Sequence, residues 1–134
     1  MTFVRVRVSD EGSITALVVV LVMTFVACAG LAVDGGRLVA AKIELGDHAE
    51  NAARAGAQEI TSLRSGSPTI DESRAVRAVE EYLSIQGIEG DAYIENNSVT
   101  VNVSRSLPMT LLSLFGMTTK TLTANRSATP VDGS

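Results

Sequence analysis

No charged residue occurs between Gly12 and Val33, and that feature constrains the chain more than any motif it carries. Ile14 to Val33 is almost entirely Leu, Val, Ala, Phe, Met and Ile. As an α-helix, residues 12–33 would extend about 33 Å, matching a bilayer hydrocarbon core roughly 30 Å thick. Eleven of these residues are Ile, Leu, Val or Phe. Each favours insertion by roughly 0.3–0.6 kcal/mol, several kcal/mol in sum. The reading is a transmembrane helix over residues 13–34 behind a short tail, residues 1–12. Arg5 and Arg7 before the span balance Arg37 and Lys42 after it, so side-chain charge leaves orientation open. The shortness of the tail favours a cytoplasmic N-terminus and a translocated C-terminal portion.

Two processing alternatives share this segment. Ala27-Cys28-Ala29 has the small-x-small form of a signal-peptidase site, and cleavage there would release a mature chain starting at Gly30. Against it stand an apolar stretch longer than a usual signal and the acidic pair Asp10-Glu11 in place of basic residues. Val26-Ala27-Cys28 also has the outline of a lipobox, with Phe25 where leucine is usual. Otherwise Cys28, the single cysteine, is a small apolar residue of the span, and no disulfide or thiolate metal site is expected.

Beyond Val33 the helical period continues but the composition changes. Leu31, Leu38, Leu45 and Ala52 recur every seven residues, widened by Ala41, Ala49, Ala53, Ala55 and Ile60, with Lys42, Glu44, Asp47, Glu50 and Arg54 mostly opposite. This predicts an amphipathic helix over 35–63 whose small apolar face allows close approach of a neighbour. Gly35-Gly36, at the predicted membrane exit, marks a bend, a break or a close crossing. Asp34 and Arg37 read as a solvated i,i+3 pair anchoring the span.

Residues 64–134 read as a small α+β portion. Arg-Ser-Gly-Ser-Pro at 64–68 is a linker, and Thr69 with Glu72 has the form of a capping box opening a second helix that stops at Gly87. Val76, Val79 and Leu83 are its expected buried stripe, beside Ala75 and Tyr82. After Gly90 the period falls to two. Ala92 and Ile94, an Asn96-Asn97 turn, then Val99, Val101 and Val103 describe a β-hairpin with one buried face, and Thr119 to Ala128 a third strand bringing Leu122 and Ala124 to that face. Between them, LPMTLLSLFGM at 107–117 is too short to cross a bilayer. It is expected to pack under the sheet or against the first helix, with Leu111, Leu112, Leu114 and Phe115 as an alternative contact surface for a partner or a membrane. The tail from Thr129 is expected to be disordered.

The sequence offers no recognisable reaction chemistry. Its only histidine, His48, stands among alanines and acids without ligands at metal spacing, and is expected to be packed or solvated. No Walker-type phosphate loop or dinucleotide fingerprint is present. A net charge of −4 with scattered Lys and Arg argues against a nucleic-acid partner. The expectation is a non-enzyme with no cofactor, no metal and no small-molecule substrate.

Residues 11–58, EGSITALVVVLVMTFVACAGLAVDGGRLVAAKIELGDHAENAARAGAQ, resemble the N-terminal segment of the TadE/TadG-like proteins of the tight-adherence (Flp) pilus system. The likeness rests on the Gly12-Ser13 start, the apolar span, the step from Gly30 through Asp34, Gly36 and Arg37 to Leu38, and the alanine-rich run Ala49 to Ala57. The valine-rich strand, proline, LLSLFG and threonine-rich strand are similar to the short actinobacterial members. The metal-ion site of long members does not carry over, because this chain has no Asp-x-Ser-x-Ser. Prepilin-type cleavage after Gly12 would begin the mature chain at Ser13 and put Leu17 where the family's processing site usually carries glutamate.

The resemblance implies a pilin-like architecture: a single N-terminal span continuing into a helix whose second half packs on a small antiparallel sheet. Gly30, Asp34, Gly36, Arg37, Leu38, Leu45 and Ala52 would serve helix packing and assembly, with Leu38, Leu45, Ala52 and the valines of 99–103 at the helix–sheet interface. It further implies a membrane-anchored minor pilin-like or assembly protein, with other pilin-like subunits, the assembly machinery and the lipid bilayer as partners. The alternative is a secreted binding module with a cleaved signal peptide.

Overall fold

The structure, a computed structural model, describes residues 10–61 and 68–131. The basic N-terminal tail, most of the expected 64–68 linker and the end of the expected disordered tail lie outside the described residues.

One helix, α1, runs without interruption from Asp10 to Ala57. Its 48 residues correspond to about 72 Å of length. Over its first half the apolar side chains touch almost nothing, with Leu17 67%, Val20 63% and Phe25 68% exposed. Over its second half a stripe turns inward, with Leu45, Ala49, Ala52 and Ala53 fully buried and Ala41 and Ala57 nearly so. The stripe follows i, i+4, i+7 and i+8 spacing, so these side chains share one face. Gly35 and Gly36 do not break the helix, and a Cβ on either would meet nothing within 4 Å. The close crossing lies elsewhere: a Cβ at Gly56 would come within 2.9 Å of Val79 Cγ2 and 3.1 Å of Val99 Cγ1.

The helix ends at Ala57, short of the expected residue 63. The chain then forms a one-pair antiparallel bridge, Ile60 with Ile70, in which Thr61 N–H donates to Thr69 O and Asp71 N–H to Glu59 O. Thr69 is occupied by this bridge and does not cap the next helix. In its place Asp71, φ −80° and ψ 103°, is the N-cap of α2 (Glu72–Gln86), its Oδ1 accepting from Arg74 N–H at 3.1 Å. Gly87 closes α2 in the left-handed region at φ 63°, as the sequence suggested. The buried stripe of α2 is Ala75, Val79 and Leu83, while Val76, expected among them, is half-buried.

Three antiparallel strands follow, β1 (Glu89–Glu95), β2 (Ser98–Pro108) and β3 (Thr119–Ala128), with β2 central. Asn96 and Asn97, at φ 51° and 59°, make the two-residue β1–β2 turn, a backbone shape Asn tolerates and most residues resist. Val99, Val101 and Val103 are buried, and Ala124 opposite Val103 joins them. On the other face Asn102 meets Asn125 and Thr100 meets Ser127 in cross-strand polar pairs. The core is thus one layer of helices, α1 with α2, against one face of the sheet. The fold is α+β, and among the described residues one helix is long and apolar enough to cross a membrane.

Candidate functional site

The distinctive geometry sits where the apolar run of α1 ends. Asp34 lies on the same helix face as Gly30, Ala41 and Leu45, and its side chain is fully buried. A carboxylate withdrawn from water needs hydrogen-bond donors. They come from the apolar segment 107–117, which lies between β2 and β3 and forms a short 3-10 helix at Leu112–Phe115. Oδ2 of Asp34 accepts from the backbone N–H groups of Leu111 and Leu112, both at 2.8 Å, and Thr110 N–H reaches Oδ1 at 3.1 Å and Oδ2 at 3.2 Å. The residue preceding the 3-10 helix, Leu111, offers no side-chain cap. Asp34 therefore supplies, from 76 to 78 positions away, the acceptor that a local N-cap residue would otherwise provide.

Arg37 stands beside this clasp, its guanidinium 3.6 Å from Asp34 Oδ1 and donating to the Thr110 hydroxyl. The expected Asp34–Arg37 pairing is present, but the expectation that it is solvated fails on the aspartate side: Arg37 is 45% exposed and Asp34 is not exposed at all. Gly30, one turn earlier, is buried because the same segment lies over it, and a Cβ there would sit 3.1 Å from Leu111 Cβ. A glycine at this position lets the loop backbone come within bonding distance of Asp34.

Further along α1 a row of polar contacts continues the attachment. Lys42 donates to Thr123 O on β3, Glu44 pairs with Arg105 of β2 at 3.3 Å, and His48 Nδ1 lies 3.1 Å from the Tyr82 hydroxyl on α2. His48 is thus a packed residue bridging the two helices. Pairs as exposed as Glu44–Arg105 contribute at most about 1 kcal/mol each, so this row sets register more than stability.

The sequence-derived positions fall into three groups. Gly30, Asp34 and Arg37 converge on the loop; Leu45 and Ala52 are in the core with Val99, Val101 and Val103, and Leu38 is half-buried between the two. Leu31, first of the expected heptad, faces outward at 65% exposure, and Gly36 is exposed without a neighbour. Leu111 and Leu112 are half-buried on α1, whereas Leu114 and Phe115 remain 72% and 49% exposed. Gly12 and Ser13 lie within the exposed first turns of α1. The amides of residues 110–112 and the Tyr82 partner of His48 were not readable in advance. Among the described residues no group of three or more His, Cys, Asp or Glu is placed to hold a metal ion.

These features define a protein with one membrane-length helix whose continuation is also the spine of a small α+β head. Residues 12–59 match the family described as putative Flp pilus-assembly TadE/G-like. Over this N-terminal part the chain is similar to that pilus-related family. The match takes in the apolar run, the Asp34 step and the alanine-rich stripe, and stops two residues beyond the end of α1. No curated protein and no solved structure matches the chain.

Proposed function

We propose that the protein is a membrane-anchored minor pilin-like subunit or assembly factor of a Tad/Flp-type pilus, acting through helix packing and protein–protein contacts. The observation that carries this reading is the division of labour along α1: apolar and exposed nearly all round up to Ala29, with one face buried by its own head from Gly30 onward. An exposed helix of that length needs either lipid or neighbouring helices around it. Before assembly the bilayer covers it, and in an assembly the spans of other pilin-like subunits do. The head faces the extracytoplasmic side, and residues 13–34 form the single span. No reaction is assigned to it.

Deletion in the native host tests the reading. Pili should be lost or reduced and return with the wild-type chain; unchanged piliation in the deletion strain would count decisively against it. The secreted-module reading draws on one specific observation: the buried core begins at Leu45 and the loop is held at Gly30 and Asp34, so a chain cut after Ala29 would keep both. Recovery of the mature protein only from membranes after an alkaline wash would eliminate that alternative.

A further inference from the structure

The segment after β2 meets α1 at the membrane end of the helix, through Leu111 and Leu112 at Gly30 and the amides of 110–112 at Asp34. Side chains on a helix tilt toward its N-terminus, so the Asp34 carboxylate, and the loop hung on it, cover the turn preceding Asp34. That turn contains Gly30, and Leu111 Cβ lies 3.1 Å from where a Gly30 Cβ would be. Gly30 is itself inside the charge-free run that ends at Val33. The loop therefore reaches back about one helical turn past the predicted membrane exit.

Its chemistry suits that depth. From Ser106 to Thr119 there is no charged residue, and Arg105 and Lys120 close the stretch on either side. Leu114, Phe115 and Met117 point outward at 72%, 49% and 50% exposure. The backbone needs little from water: Asp34 takes the N–H groups of residues 110–112, and carbonyls of the same loop take those of Leu114, Gly116 and Met117. Low demand for outside hydrogen bonds is what a lipid interface requires of non-helical backbone.

We infer that Leu114, Phe115 and Met117 form a foot that inserts into the lipid interface beside α1, so that Asp34 clamps the head at a fixed height above the bilayer. The occupant is the lipid surface itself, continuous with the lipid around the span. This inference rests on the spanning orientation proposed above.

The chain contains no tryptophan, so a single introduced indole reports its own depth. Full-length Phe115→Trp and Phe25→Trp variants would be reconstituted in phosphatidylcholine vesicles, with bromine placed either high or deep on the acyl chains. The expected result is a blue-shifted emission from the Phe115→Trp variant, lost mainly to the shallow bromines, and an emission from the Phe25→Trp variant lost mainly to the deep ones. Leu114→Trp gives the same readout should Phe115→Trp perturb the loop. Quenching at position 25 but at neither 115 nor 114 overturns the foot while leaving the span intact, and a blue shift there without quenching assigns the patch to another protein surface. Absence of quenching at all three positions overturns the spanning reading and the foot with it.

Discussion

Two Gly→Ala substitutions in the same helix should change stability in opposite directions, because only one of the glycines is held against rigid atoms. In an exposed helix interior Gly→Ala stabilises by roughly 1 kcal/mol. At Gly56 the new methyl would lie 2.9 Å from Val79 Cγ2, 3.1 Å from Val99 Cγ1 and 3.3 Å from Ala75 O. Both valines are fully buried and β-branched, and the third contact is backbone, so none of them yields without moving α2 or β2. Overpacking of this kind costs about 1–3 kcal/mol, leaving Gly56→Ala a net destabilisation of about 1 kcal/mol. At Gly46 the methyl would meet only the end of Arg126, an exposed, flexible side chain 3.1 Å away that can swing aside. Gly46→Ala should therefore gain most of the propensity term, and the two variants should differ by about 2 kcal/mol. Amide hydrogen exchange at Val101 and Val103 in the detergent-solubilised full chain reads this directly, since a difference of about 2 kcal/mol is a factor of about 30 in the open population. Equal stabilisation by both substitutions would refute the tight meeting of α1, α2 and β2 at Gly56.

Other substitutions probe the attachment of the head. Asp34→Asn keeps one carbonyl acceptor but turns an NH2 group toward donors, so exchange should accelerate at residues 110–112 and leave Val101 protected; unchanged exchange at 110–112 would deny Asp34 its capping role. Asp71→Ala should cost about 1 kcal/mol through loss of the α2 N-cap while Thr69→Ala leaves α2 helicity as it was, a contrast that circular dichroism and thermal melting can detect. Asn97 accepts from Ile70 N–H and donates to Pro68 O, both at 2.9 Å, besides holding φ 59°. Asn97→Gly preserves the turn and removes the two bonds, so a loss of about 1–3 kcal/mol in urea unfolding is expected, and a neutral result would mean that water replaces both.

Features of the fold that depend on neighbouring residues were readable from the sequence. The uncharged run through Val33, the alternation Val99-Val101-Val103, the Asn96-Asn97 turn and the Gly87 stop each express a period or a backbone preference confined to a few positions. The α2 cap misled because two acceptors, Thr69 and Asp71, compete within three residues, and the winner is decided by a bridge between Ile60 and Ile70 across a connection. Asp34 was obscured for a stronger reason: its donors are backbone amides 76 to 78 residues away, and no local pattern announces them. A usable signal did exist in its position, since Asp34 shares the i, i+4 stripe with Gly30, Ala41 and Leu45, and an acid on a buried face must be bonded to something. The apolar segment 107–117 packs against the first helix through Leu111 and Leu112, as expected, while the outward aspect of Leu114 and Phe115 depends on tertiary geometry.

One helix that both anchors the protein in the membrane and carries its head is the core of the proposed function. The intact mass of the mature protein from the membrane fraction of its native host tests this most directly. The expected mass retains residues 13–29, and a start at Ser13 would add that the Gly12 site is cleaved despite Leu17. A mature chain beginning at Gly30 would contradict the proposal, leaving a head with no anchor.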